Sequence, residues 1–335
     1  MRLSIRMLVL FTLLVLALPL SAQDGGETLT VYSGRSEGLI GPILAEFTAD
    51  TGINVEVRYG STSEMAALIS EEGDNSPADV YVAQDAGALG ALSAEGRLLT
   101  LAPDILERVP AEFASAAGQW VGISGRARVL VYNPELVSED QLPPSILDLV
   151  NPEWQGLVGW APSNASLHAN VTAMRVLLGE DAARAWLEGM VASGAVTYEN
   201  NSAVVQAVIN GEVSVGLVNH YYIFQFLAED PDVSVAMHFF PAGDLGALIN
   251  IAGAGIVNTS DTPGLSQRLI LYLLGNDAQT YFREQTSEYP MIAGVEPKDI
   301  LPPLSEIEAP EIDLNQLADL QGTLTLLQET GALPG

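Results

Sequence analysis

The sequence predicts an α/β protein of two lobes joined by two crossover strands. Three observations predict it. Short β-rich runs alternate with amphipathic helices from Thr28 onward, the same grammar resumes after Tyr132, and two long apolar segments, Gly125–Tyr132 and Leu248–Val257, read as the crossing and the return. Strand–helix alternation with short loops builds parallel sheet flanked by helices.

Thr28–Tyr32 reads as a buried strand, with Ser33-Gly34 as the turn after it. Leu39, Ile40, Ile43, Leu44 and Phe47 recur at helical spacing, and Thr51-Gly52 supplies a glycine stop. Asn54–Tyr59 alternates as a strand, Thr62–Glu72 is a helix ended by Gly73, Ala78–Ala83 is a strand and Ala86–Ala94 a helix. In the second run, Leu157–Trp160 is a strand, and Ala165–Leu178 a helix capped by Ser163 or Asn164. Helices at Ala182–Ala192 and Ser202–Asn210 flank a short strand at Val196–Tyr198, and Val213–Val218 is the next strand. Thr262–Gly275, Ala278–Thr286 and, beyond a Pro- and Glu-rich stretch, Leu314–Thr330 complete the helices. The first lobe is expected to comprise residues 27–125 plus 253–302, the second 126–252 plus 303–335. Ligands of such sheets bind beyond the carboxyl ends of strands, here Ser33–Glu37, Gly60–Ser63 and Gln84-Asp85. Two lobes and two crossovers give a hinged clamp around a cleft.

The N-terminus carries Arg2 and Arg6 before an apolar run, Leu8–Leu20, and a small-residue site at Ser21-Ala22. That is the pattern of a secretory signal peptide, residues 1–22, too short to span a bilayer. The expected product is soluble and exported. No cysteine is present, which removes thiolate metal sites, thiol catalysis and a lipid-anchor cysteine. Without the leader, 11 basic residues face 42 acidic ones, and Lys298 is the only lysine. Nucleic acid and anionic lipid are poor partners for such a surface; a saline habitat would account for it equally.

Tyr221 and Tyr222 follow the apolar run Val215–Val218, where a strand reaches polar residues. A phenol is normally neutral, with a pKa of about 10. Two neighbouring phenols ionise together only beside a hard, strongly charged cation, and ferric iron is the obvious candidate; ordinary packing of one ring and snorkelling of the other is the alternative.

Several strings occur in order: Leu29–Arg35, Glu72–Val80, Ile123–Tyr132, Asn201–Val208 and Asn219-His220-Tyr221-Tyr222, extended by Glu288-Tyr289-Pro290. Together they resemble the periplasmic ferric-ion-binding proteins that feed ABC importers, over nearly the whole mature chain. The resemblance implies a type II, transferrin-like periplasmic-binding-protein fold. It also implies one Fe(III) held by Tyr221 and Tyr222, and a synergistic anion, carbonate or phosphate. Asn201 and Asn219 match anion-binding positions, and Asn164-Ala165-Ser166 matches the loop whose helix N-terminus presents N–H groups to the anion. Plain N-capping is the other role for Asn164 and Ser166. The departures lie in the first lobe. Ser36, followed by Glu37, stands where many members carry a histidine, Gln84 replaces a glutamate ligand, and His168 stands where some members add a tyrosine.

Fe(III) prefers anionic oxygen. Among the remaining candidates, Glu37 is either a first-lobe ligand or a solvated first-turn carboxylate, and His168 either a ligand or a surface residue. Gln84 suits hydrogen bonding to water or anion. Arg35 is the expected anion-binding cation, by its bidentate fork, with Arg126 second or else an interlobe ion-pair residue. His220 is expected to support the ligands from behind or to be structural, pointing away from Tyr221 along a continuing strand. The expected partner is a permease, and the expected state a monomer, since a clamp must open. The same fold holding an oxyanion, a polyamine or thiamine is the alternative reading. A secreted hydrolase is the least favoured reading: Gly-x-Ser-x-Gly and His-Glu-x-x-His are absent, and an Asp/Glu pair is the acid–base machinery left open to it.

Overall fold

The computed structural model describes residues 27–333; the expected signal peptide lies outside the described residues. The chain first lays down β1 (Thr28–Ser33), α1 (Glu37–Thr51), β2 (Asn54–Tyr59), α2 (Thr62–Glu72), β3 (Val80–Ala83), α3 (Ala86–Ala94) and a short α4 (Pro103–Leu106). It crosses on β4 (Val121–Tyr132). There follow β5 (Val158–Trp160), α5 (Ala165–Leu178), α6 (Glu180–Ala192), β6 (Val196–Thr197), α7 (Asn201–Ile209), β7 (Val215–Asn219), α8 (Ile223–Glu229) and β8 (Ala236–His238). It returns on β9 (Ile249–Ile256) to α9 (Pro263–Leu273) and α10 (Asn276–Gln285), and closes with α11 (Leu320–Glu329).

The strands run in the order β2-β1-β3-β9-β4-β7-β5-β6, with β8 also on β4. Pairings within each wing, β1 with β2 and β3, and β5 with β6 and β7, are parallel. The crossovers β4 and β9 lie side by side, antiparallel. β4 changes partner midway: Val121–Ala127 pairs with β9, and Arg128–Tyr132 with β7. Ala127 is therefore the residue at which one lobe's ladder hands over to the other's. Every residue of β3, β4 and β9 is buried. Strands covered on both faces read as near-continuous apolar runs, which is why the crossings are legible in sequence.

Local signals act as expected in the first wing. Gly52 closes α1 at φ 74°, a left-handed conformation that favours glycine. Ser61 and Glu64 form a reciprocal capping box at the start of α2. No helix among the described residues is long and apolar enough to cross a membrane.

Two expected elements take another form, and α4, α8 and β8 have no counterpart in the sequence reading. The strand carrying the tyrosines ends at Asn219, and His220–Tyr222 coils into one 3-10 turn leading to α8. The tail is not one helix within the second lobe. It breaks into a 3-10 turn, Leu314–Ala318, and α11, with the Asp319 side chain accepting from the Gly322 N–H between them. The turn sits on the first lobe: Trp120 Nε1 donates to Asn315 Oδ1 at 2.9 Å. A Cβ on Gly87 would stand 2.5 Å from the Leu317 carbonyl oxygen. α11 sits on the second lobe, with Thr172 and Thr323 hydroxyls 2.7 Å apart and Arg175 donating to Asp319 at 2.9 Å. The tail thus straddles both lobes, because its apolar residues split between α3 and α5. Gly87→Val should lift the turn off α3 at a cost of about 1–3 kcal/mol. Limited proteolysis checks this, and unchanged resistance of the tail would exclude such docking.

Candidate functional site

The handover from β7 to its 3-10 turn decides where the phenols go. Because the backbone coils after Asn219, Tyr221 and Tyr222 fall side by side, with ring centroids 4.5 Å apart at 36°. Both remain partly exposed. Asn219 Nδ2 donates to the Tyr221 hydroxyl at 3.3 Å. Burial pushes the Tyr221 hydroxyl well up, the neighbouring Tyr222 adds to this, and the positive charge of Arg126 opposes it.

Behind the tyrosines lies a network centred on a residue that sequence reasoning did not single out. Arg128 is buried on β4, directly opposite Asn219 in the ladder. Its Nη1 donates to Ser166 Oγ at 3.1 Å and to Asn219 Oδ1 at 3.3 Å. Ser166 Oγ donates to Asn164 Oδ1 at 2.5 Å and accepts from Asn201 Nδ2 at 3.3 Å. Asn164 also caps α5 by accepting from the Ser166 N–H at 3.0 Å. The structure thus brings Asn164, Ser166, Asn201, Asn219 and Tyr221 around one guanidinium. Arg128 Nε and Nη2, Arg126 Nη1 and Asn201 Oδ1 are buried and unpartnered. Buried polar atoms left without partners in this way mark a place where a ligand, an ion or water can bind. Burial lowers the Arg128 pKa to about 10, and the two tyrosines pull the other way, so it stays cationic at neutral pH. The alternation Arg126-Ala127-Arg128 in a chain this poor in cations was the signal available.

Arg35 is placed otherwise than expected. It is fully buried, and its fork is committed to Glu288, Nη2 to Oε2 at 2.6 Å and Nη1 to Oε1 at 3.1 Å, with Ser124 Oγ at 3.2 Å. Its guanidinium also lies over the Phe282 ring. The reason is a partner 253 positions away, invisible to local reading. Burial alone would raise the Glu288 carboxyl, but the Arg35 charge and hydrogen bonds from Arg35 and Thr286 leave it below its usual value. Arg126 makes no ion pair among the described residues, contrary to its alternative reading.

Glu37 is exposed at the start of α1 and lies by the Tyr59 hydroxyl, in a groove between α1 and edge strand β2. No hydrogen bond or ion pair joins it to the tyrosine turn. His168 is buried rather than on the surface, and its Nε2 is bound to the Pro162 carbonyl at 2.8 Å, so at most Nδ1 is free. Gln84 follows β3 with a buried, unpartnered Oε1. It lines a cleft of about 670 Å³ walled by Thr62 and Asp85 on one side, Ala165 and Thr172 of α5 on the other, and Leu317 of the tail. The tyrosines are not among the walls of that cleft.

His220 does not point away along a strand, as expected, but ties two backbone groups together. It is fully buried, with Nδ1 accepting from the Ala127 N–H at 3.1 Å and Nε2 bound to the Ser287 carbonyl at 2.8 Å. Burial lowers its pKa to about 4, against the Ser287 carbonyl, which favours the charged ring, so it is neutral at physiological pH. Among the described residues no group of three or more His, Asp or Glu side chains is placed to hold a metal.

Known proteins resemble the chain over most of its length. The chain is 33% identical over 323 residues to the Fe(3+)-binding periplasmic protein of Serratia marcescens, covering 96% of this chain and 95% of that one. Iron-bound HitA from Pseudomonas aeruginosa superposes with a TM-score of 0.84 at 35% identity, covering 91% of this chain and 99% of that one. Trichodesmium IdiA (FutA), in complex with iron and citrate, gives 0.80 at 28% identity, with 91% and 99% covered. Residues 75–313 match the bacterial extracellular solute-binding protein family, and the chain belongs to it.

Proposed function

We propose that this protein captures ferric iron between its lobes, with Tyr221 and Tyr222 as phenolate ligands and an anion at Arg128, and delivers it to an ABC importer permease. The observation that carries the reading is the tyrosine pair with ring centroids 4.5 Å apart, backed by a buried guanidinium with two unpartnered nitrogens, Nε and Nη2. Ferric iron and two phenolates carry a charge of about +1, so an anion completes both shell and charge balance. Arg128, the Asn164-capped start of α5 and Asn201 can receive carbonate or phosphate, and a hydroxycarboxylate such as citrate meets the same donors. Arg128 takes the anion role first expected of Arg35. Glu37 and His168 remain outside the proposed ligand set, and Gln84 bonds water or anion.

Adding Fe(III) with each anion to the mature protein should produce a visible tyrosinate-to-iron charge-transfer band. Its absence with every anion would defeat the reading. Binding displaces two phenolic protons, and burial already holds the Tyr221 proton tightly. Apparent affinity should therefore fall roughly 100-fold per pH unit as pH drops. Competitive chelator titrations check this, and a tenfold slope would mean that one phenol binds.

A further inference from the structure

We propose that His220 is a positioning residue that couples the tyrosine pair to the joint between the lobes; this rests on the ferric reading above. His220 immediately precedes the pair in the same 3-10 turn. Its two ring nitrogens bind backbone groups of two different elements. Nδ1 must be the acceptor, because the Ala127 amide can only donate, and Nε2 must carry the proton, because the Ser287 carbonyl can only accept. One neutral tautomer satisfies both.

Each partner is a joint residue. Ala127 is where β4 leaves its pairing with β9 for its pairing with β7. Ser287 follows α10 at φ 56°, the one non-glycine residue with positive φ among the described residues. It opens the segment in which Glu288 holds Arg35 and Tyr289 exchanges backbone hydrogen bonds with Gly125, both at 2.8 Å. A residue held in such a conformation persists only where its surroundings over-determine it. The His220 ring is bracketed by Tyr221 at 5.6 Å and Tyr289 at 4.7 Å. A second tie joins the same parts: Lys298 Nζ donates to Ser287 Oγ at 2.8 Å and lies 4.8 Å from the Phe224 ring centroid, two residues past the tyrosines.

The consequence is mechanical. Movement of the first lobe's Ser287–Tyr289 segment against β4 is transmitted through the imidazole to the turn that aims both phenols. Iron held by the phenols in turn fixes the imidazole, and with it the joint.

The test compares wild type, His220→Phe, His220→Gln and a distant core control, Leu269→Ala, a buried first-lobe residue. The readouts are the position of the iron band, the rate of iron loss to excess chelator, and the thermal midpoint with and without iron. His220→Phe keeps a buried ring but loses both bonds, and should shift the band and speed release at least roughly tenfold. His220→Gln, which can restore one bond, should fall between. Leu269→Ala should lower the thermal midpoint while keeping band and release rate. If folded His220→Phe matches Leu269→Ala, stability lost but band and release unchanged, the proposal is overturned. Should His220→Phe fail to fold, His220→Gln decides by the same criterion. A wild type without a band refutes the ferric reading itself, and this inference with it.

Discussion

Replacing Tyr221 or Tyr222 by Phe should lower ferric affinity by at least about 1,000-fold, roughly 4 kcal/mol, and remove or strongly weaken the visible band. The change deletes one oxygen and keeps the ring, so the tilted ring contact with centroids 4.5 Å apart survives and folding should be nearly unaffected. Loss of an oxygen bound directly to the metal should exceed the 10- to 100-fold typical of residues that only support ligands. Tyr221 should show a further signature. Its hydroxyl accepts from Asn219, which also accepts from Arg128, so Tyr221→Phe should weaken anion dependence as well as metal affinity. Chelator-competition titrations measure both. Full retention of the band in both variants would place iron elsewhere.

Glu288→Ala should be the most destabilising single change near the joint, at about 3–5 kcal/mol, because it leaves the fully buried Arg35 charge uncompensated. Thermal unfolding of the metal-free protein should show a midpoint lower by roughly 10 °C. Replacing both partners together, as Arg35→Met with Glu288→Leu, should recover most of the loss, since buried pairs exchange for apolar groups at little net cost. The pH dependence has a definite sign. The Glu288 carboxyl is depressed on folding, so its contribution is complete above the unfolded value of about 4.5 and is lost as pH falls through the lower folded value. A single replacement that unfolds like wild type would mean that Arg35 finds another partner or water.

The contrast between these residues shows where sequence reading works. The wings were legible because each element advertises itself locally: Ser61 with Glu64 starts α2, Gly52 ends α1, and the unbroken apolar runs mark β4 and β9. The tyrosine pair was legible through its register with the surrounding strings. What stayed hidden depends on distant partners or on a change of local geometry. Arg35 looked free because Glu288 lies far along the chain, and Arg128 looked like one more strand residue because its orphan N–H groups appear only in three dimensions. The side chain of His220 was expected to point away because a strand alternates; a 3-10 turn does not, so the ring stays beside Tyr221. The tail read as one helix because its apolar spacing runs through Asp319, which instead caps a second, separate helix.

The solitary lysine has a practical consequence. Apart from the amino terminus, Lys298 offers the sole primary amine for acylating dyes, and it rests against Phe224, close to the tyrosine turn. A fluorophore coupled there would sit on the first lobe while sensing the second, in exchange for the ammonium's contacts with Ser287 and Phe224. One conjugation step would turn this chain into an optical reporter of cargo loading, with no engineered cysteine.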